Sequence, residues 1–111
     1  MRRGEIWTVS ATGYAGKPRP AVIVQGDSFD LINTLTICPF TTNPTDAPIL
    51  RLMVQPSVGN GLKAPSRLMV DKMSTVPKSR IGAPLGRLDA ADLHRLDQAM
   101  LVFLGLVGAT A

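Results

Sequence analysis

A chain of 111 residues with a formal net charge of +4 is long enough for one domain with a real hydrophobic core. Apolar residues make up 45% and charged residues 18%, a balance that excludes a disordered chain. No apolar run reaches membrane-spanning length and no signal-peptide core follows the charged start, so the expectation is a cytoplasmic protein with no membrane contact, its apolar surplus buried in a homo-oligomer.

In chain order, Glu5 to Val9 alternates loosely and reads as a strand, followed by a glycine-containing loop from Ser10 to Gly16. Ala21 to Gln25 is continuously apolar until its last residue, as expected of a central strand covered on both faces. Asn33 to Phe40 reads as a third strand, with Pro39 marking a strand end, edge or bulge. Ile49 to Val54 puts Leu50, Leu52 and Val54 on one face and Arg51 on the other. Arg67 to Met73 likewise turns Leu68 and Val70 inward, and Ser74 to Lys78 reads as a connector. Short extended pieces are expected near Ile81 and Leu85. Asp89 is a good helix N-cap, with Asp92 in the first turn where the helix dipole favours negative charge. Leu93, Leu96, Met100, Leu104 and Val107 then recur at helical spacing as a core stripe. Several short strands followed by one helix describe a mainly β or α+β fold, a small β-barrel with a C-terminal α-helix. No repeat or linker divides the chain, so residues 1–111 are expected to form a single domain.

Cys38 is the only cysteine and His94 the only histidine. An intrachain disulfide, a cysteine-based zinc cluster and a two-histidine ribonuclease site within one chain are therefore excluded, and no metal or cofactor is called for. Cys38 lies in a strand-like run and reads as a buried, inert thiol; His94 reads as a surface helix residue. Between Arg51 and Arg87 the chain carries Arg51, Lys63, Arg67, Lys72, Lys78, Arg80 and Arg87 against Asp71 alone. Such a basic middle points to an anionic partner, nucleic acid being the commonest, or else to a solvated basic surface. Aromatic residues are too few for a base-stacking platform.

Arg19 stands out locally. It lies in Gly16-Lys17-Pro18-Arg19-Pro20, where each cation precedes a proline that biases it toward extended backbone. A permanent charge is thus held at a strand entrance, suited to gripping or polarising phosphate, or simply a solvated loop arginine. A second feature is the strand ending in hydroxyls, Cys38-Pro39-Phe40-Thr41-Thr42-Asn43, and a third is the block from Ser66 to Gly82.

Taken in order, these blocks resemble the MazF/PemK/Kid family of toxin endoribonucleases. The start reads Arg-Gly-Glu-Ile-Trp; a glycine loop leads into Arg-Pro and an apolar strand; a Pro-x-Thr-Thr strand end follows; a serine-containing strand leads to Thr-Val-x-Lys-x-Arg-Ile-Gly, Thr75 to Gly82, and then the helix. The resemblance implies an SH3-like barrel working as a homodimer, a metal-independent endoribonuclease that cuts single-stranded RNA at short sequences and is neutralised by a cognate antitoxin. By position, Arg19 matches the family's catalytic arginine and Thr41 its catalytic threonine, with Thr42 the neighbouring alternative. Ser66 matches a serine often found near the RNA groove. The chain departs from the pattern in its shorter loop between Val9 and Arg19, which lacks the polar residues often found there, in Pro77 for a common acidic residue and in Lys72 for a common glutamine. The antitoxin is expected to be acidic and partly disordered.

The chemistry asks for removal of a proton from the 2′-OH, stabilisation of a dianionic phosphorane-like transition state, and protonation of the departing 5′ oxygen. Arg19 suits the second task, because its fork can donate two hydrogen bonds to phosphoryl oxygens, and is a poor base. The Thr41 hydroxyl can orient the 2′-OH or bind a non-bridging oxygen; no general base stands out. Lys17, Arg67, Lys72, Lys78 and Arg80 are the candidate phosphate contacts of a basic groove. Two other readings remain open from the residues: a CcdB-like gyrase-binding toxin, which would lean on Val107 to Ala111, and a non-catalytic RNA-binding SH3-like barrel. Arg19 and Thr41 in one cleft would separate the enzyme from both.

Overall fold

The computed structural model describes residues 1–10 and 17–108; the expected loop within 11–16 and the last residues, 109–111, lie outside that description. The chain forms β1 (Glu5–Val9), β2 (Arg19–Ile23), β3 (Thr34–Thr41), β4 (Arg51–Val54), β5 (Ser66–Met69), β6 (Ser74–Pro77), β7 (Ile81–Arg87) and α1 (Ala90–Phe103). The strands make one seven-stranded sheet in the order β4-β5-β3-β2-β1-β7, with β6 also paired to β3. All the pairings are antiparallel.

The expected architecture is present, with one refinement: the ladder does not close into a full barrel. β4 and β7 end the hydrogen-bonded path, and the loop after β4 bridges them. Arg87 N donates to Gly59 O at 2.9 Å. Gly86 allows this approach, because a Cβ there would meet Gly59 O at 2.4 Å. The loop holds its shape through Asn60, whose side chain is buried. Its Oδ1 accepts from Ser57 N (2.9 Å) and Leu62 N (3.0 Å), and its Nδ2 donates to Gln55 O (2.9 Å). A loop docked by its backbone thus does what one more strand pair would do in a closed barrel.

Strand β2 lies between β1 and β3, and Ala21, Val22 and Ile23 are all buried. Its unbroken apolar run follows from two separate apolar clusters, one on each face. Val22 joins Ile6, Cys38, Phe40, Leu68 and Val70 beneath α1, which contributes Leu96 and Ala99. Ala21 and Ile23 join Val9, Leu35 and Ile37 on the other face, against Trp7, Val76 and Ile81. Cys38 is fully buried, and that burial pushes its thiol up to about 12. The thiol therefore stays protonated at neutral pH.

Helix α1 begins where the sequence places it: Asp89 Oδ1 accepts from Asp92 N at 2.7 Å. Arg3 pairs with Asp97 and ties the amino-terminal segment to the helix. The expected core stripe is shorter than its periodicity suggests. Leu96 and Ala99 are buried, Leu93 and Met100 are half-buried, and the helix stops at Phe103. Leu104 and Val107 consequently lie beyond the helix and are 58% and 49% exposed.

Two further expectations change. The strand from Arg67 to Met73 ends at Met69, and Val70–Lys72 forms a 3₁₀ turn. β4 offers partners only from Arg51, which pairs with Met69, to Val54, so the ladder runs out there. The connector from Ser74 is a strand, β6, pairing Ser74 to Pro77 with Ile37 to Thr34. Pro39 sits where β3 changes partner on that edge, from β6 at Thr34–Ile37 to β5 at Phe40 and Thr41. Neither register includes Pro39, so its missing N–H interrupts neither ladder.

Candidate active site

The change of partner along β3 leaves a gap between β5 and β6, and a cavity of about 270 Å³ occupies it. Its floor comes from the smaller apolar cluster: Val9, Ala21, Ile37 and Val76. Pro20, Pro39, Phe40 and Met69 complete the walls. Arg19, Thr41, Lys72 and Ser74 are the polar residues that line it.

Strand register explains why Arg19 and Thr41 share a cavity. β2 and β3 pair Ile23 with Ile37, Val22 with Cys38 and Ala21 with Pro39. The paired stretch ends there, and Arg19 and Thr41 each lie two residues beyond it on their strands, beside the cavity. Ala21, Pro39, Arg19 and Thr41 all line it. The clamp of Pro18 and Pro20 extends the backbone at that strand entrance, and Arg19 is also the partner of Val9 on β1.

Thr41 is held in a defined state. Its Oγ1 accepts from Asn43 N at 3.1 Å, which leaves the hydroxyl proton available for donation. Lys72 ends the 3₁₀ turn and is exposed, and Ser74 opens β6 opposite Ile37. The cavity is therefore a polar rim with two cations over an apolar floor. Among the described residues its lining contains no histidine and no carboxylate. Among the described residues no group of three or more His, Cys, Asp or Glu side chains is arranged to hold a metal ion.

The other sequence candidates are distributed differently. Thr42 lies just past β3, exposed and outside the cavity lining. Ser66 turns inward: it is buried, and its Oγ donates to Ala64 O at 2.9 Å, so its hydroxyl serves the turn before β5. Lys17 is exposed, two residues ahead of β2, and does not line the cavity. Lys78 Nζ donates to Asp30 O, tying it to the β2–β3 connection. Arg80 is half-buried, its carbonyl accepting from Ser10 N at 2.9 Å. Arg67 is the cross-strand partner of Thr41 but lines a different cleft. Of the basic candidates, Lys72 alone accompanies Arg19 and Thr41 in the cavity. Ser74 was not singled out by its sequence, because Ser-Thr-Val-Pro reads as a connector and only its pairing with β3 brings it to the rim.

Residues 2–104 match the model of the PemK-like, MazF-like toxins of type II toxin–antitoxin systems. The chain belongs to this family. It is 50% identical over 109 residues to the "Probable endoribonuclease MazF" of Mycolicibacterium smegmatis, covering 97% of this chain and 100% of that one. It is 31% identical over 116 residues to endoribonuclease MazF9 of Mycobacterium tuberculosis, covering 96% and 98%. Among solved structures, a mycobacterial endoribonuclease in complex with its cognate antitoxin shares the fold with a TM-score of 0.82 at 22% identity, over 96% of this chain and 97% of that one. The Mycobacterium tuberculosis toxin MazF-mt6 superposes with a TM-score of 0.78 at 24% identity, over 91% and 96%. Membership of the PemK/MazF family fits the cavity's chemistry: a cation and a hydroxyl lining one cavity, in a molecule with a basic middle.

Proposed function

We propose that this MazF-type endoribonuclease toxin cleaves single-stranded RNA at the Arg19–Thr41 cavity, without a metal ion, at a short recognition sequence. The observation that supports this reading most is that Arg19 and Thr41, just past the last pair of the β2–β3 ladder, line one cavity. A gyrase-binding toxin or a non-catalytic barrel needs no such pair.

In the reaction, the ribose O2′ attacks the adjacent phosphorus and the bond from phosphorus to the 5′ oxygen breaks. The products are a 2′,3′-cyclic phosphate and a 5′-OH. The 2′ proton passes to solvent and the departing 5′ oxygen takes one from it. Arg19 donates to the non-bridging oxygens as their charge grows toward the dianionic phosphorane, and Lys72 adds a second positive charge at the same rim. Thr41, its Oγ1 already accepting from Asn43 N, donates its proton to the phosphate or orients the 2′-OH. Rate then depends on positioning and electrostatics more than on acid–base groups.

As a toxin of a type II system the protein acts in the cytoplasm, inhibiting translation and growth, and is neutralised by an acidic, partly disordered antitoxin. The whole chain acts as a single domain, and two copies form a homodimer. The apolar residues left exposed at and beyond the helix end, Phe103, Leu104, Leu106 and Val107, favour that pairing.

The test is cleavage of single-stranded RNA in the presence of EDTA, with analysis of the new ends. A 2′,3′-cyclic phosphate and a 5′-OH are expected. Activity that appears only when Mg²⁺ is added refutes the mechanism.

A further inference from the structure

The loop that bridges β4 and β7 carries Asn60 directly before Gly61. An asparagine followed by glycine is chemically labile, because glycine puts no side chain in the way of attack by its own backbone nitrogen on the neighbouring carboxamide. We propose that Asn60 is a deamidation site held shut by its docked loop, and that its conversion weakens the bridge between the two ends of the sheet and ages the protein irreversibly.

In the reaction, Gly61 N attacks Asn60 Cγ. The N–Cγ bond forms, the Cγ–Nδ2 bond breaks, and the proton of Gly61 N passes through solvent to Nδ2, which departs as ammonia. A cyclic succinimide remains. Water opens it, giving aspartate when it adds at Cγ and isoaspartate when it adds at the backbone carbonyl of residue 60. Water is the only co-reactant.

The docked loop opposes each requirement of that chemistry. Gly61 N must lose its proton, yet it donates to Ser57 O at 3.2 Å. The carboxamide must be free to turn, yet its Oδ1 accepts from Ser57 N and Leu62 N and its Nδ2 donates to Gln55 O. Asn60 N donates in turn to Ser57 Oγ at 3.1 Å, which closes the same turn. Asn60 is only 4% exposed, so hydroxide and water reach it poorly. The labile neighbour is also the one that docking demands. Gly61 has φ +69°, and a Cβ there would meet Leu85 O of β7 at 2.1 Å. The same glycine that lets the loop pack on β7 therefore makes Asn60 reactive whenever the loop lifts.

Conversion works against redocking. In aspartate one oxygen keeps the two N–H donors, but the other stands against Gln55 O, acceptor against acceptor, and a charge replaces a buried neutral amide. Isoaspartate lengthens the main chain by a methylene and shifts every later contact of the turn. Either product loosens the bond from Arg87 N to Gly59 O and bares the two sheet ends that the loop covers.

The test follows deamidation of the parent protein at mildly alkaline pH, native and in guanidinium chloride, by mass spectrometry of the tryptic peptide Leu52–Lys63, which contains Asn60. Conversion should be at least about tenfold slower in the native protein, because it proceeds only through molecules whose loop is open. Gly86→Ala, whose Cβ would meet Gly59 O at 2.4 Å and Asn60 C at 2.6 Å, should speed the native reaction toward the unfolded rate while circular dichroism shows sheet and helix retained. Asn60→Asp should lower the melting temperature by about 5 °C or more. Equal native and unfolded rates in the parent overturn the guard, as does an unchanged rate in folded Gly86→Ala. If Gly86→Ala does not fold, the parent's two rates decide alone. An Asn60→Asp protein that melts with the parent overturns the ageing step.

Discussion

The two faces of the central strands carry apolar clusters with opposite fates. The larger is sealed by α1: Ile6, Val22, Leu68, Val70 and Leu96 have no exposed surface. The smaller, Val9, Ala21, Ile23, Leu35 and Ile37, has no helix packed against it among the described residues, and three of its members form the floor of the Arg19 cavity. The same strands build both, since alternate residues point to opposite sides. The difference teaches that this fold separates stability from the proposed chemistry by face. Closing one side with a helix leaves the other free to hold a substrate against a stiff apolar floor.

That separation can be broken from either side, and the sealed face should give the larger loss of stability. Leu96→Ala removes a fully buried helix side chain and should cost about 3 kcal/mol of folding stability, within the range for leucine truncation, as read by urea denaturation. If it costs less than a surface substitution does, α1 is not the seal described. On the open face, Arg19→Ala should lower the cleavage rate by about a hundredfold or more, the scale of losing one preorganised donor to a developing oxyanion. Its melting temperature should stay near that of the parent, because Arg19 is exposed. Equal cleavage by both proteins would remove Arg19 from the chemistry.

Smaller effects sharpen the same contrast. Asp89→Ala removes the N-cap acceptor of Asp92 N and should cost about 1 kcal/mol, measured by thermal unfolding, with cleavage rate retained. Asp71 offers a pH test. The Arg51 guanidinium beside it holds its carboxyl below the ordinary value, so the carboxylate favours the folded state above the unfolded pKa. That contribution is lost as pH falls through the lowered folded value. Because the pair lies at the surface, the gain should stay below about 1 kcal/mol. Asp71→Asn should flatten the acid limb of the stability profile slightly; an unchanged limb would show that the pair contributes nothing.

Much of the fold is legible locally. Asp89 announces the helix because an N-cap is decided by one side chain and the next turn. The unbroken run after Arg19 announces a strand with two covered faces, since a half-exposed strand would alternate. Cys38 reads as inert because its neighbours are those of a buried strand. The candidate site is legible only in part. Arg19 and Thr41 are each conspicuous, one between prolines and one at a strand end, but no spacing in the chain says that they share a cavity. Their association came from a family resemblance, and its geometric reason is a register that forms only once β2 and β3 pair. Ser74 carried no signal, because Ser-Thr-Val-Pro is a weak strand until β3 supplies its partner. Ser66 and Lys78 show the reverse case: polar residues conspicuous in sequence whose side chains bond to Ala64 O and Asp30 O.

By itself, the sequence determined the class of fold, the helix start and the buried strand pattern, and it put forward Arg19 and the hydroxyl-bearing end of β3 as candidates for phosphate chemistry, because each depends on a few neighbouring residues. The tertiary structure alone decided which of the basic residues share a cavity, where β3 exchanges one partner for another, and that a docked loop rather than a strand ladder spans the gap from β4 to β7. Those choices rest on contacts between residues far apart in the chain, where register, and not local preference, sets what meets what.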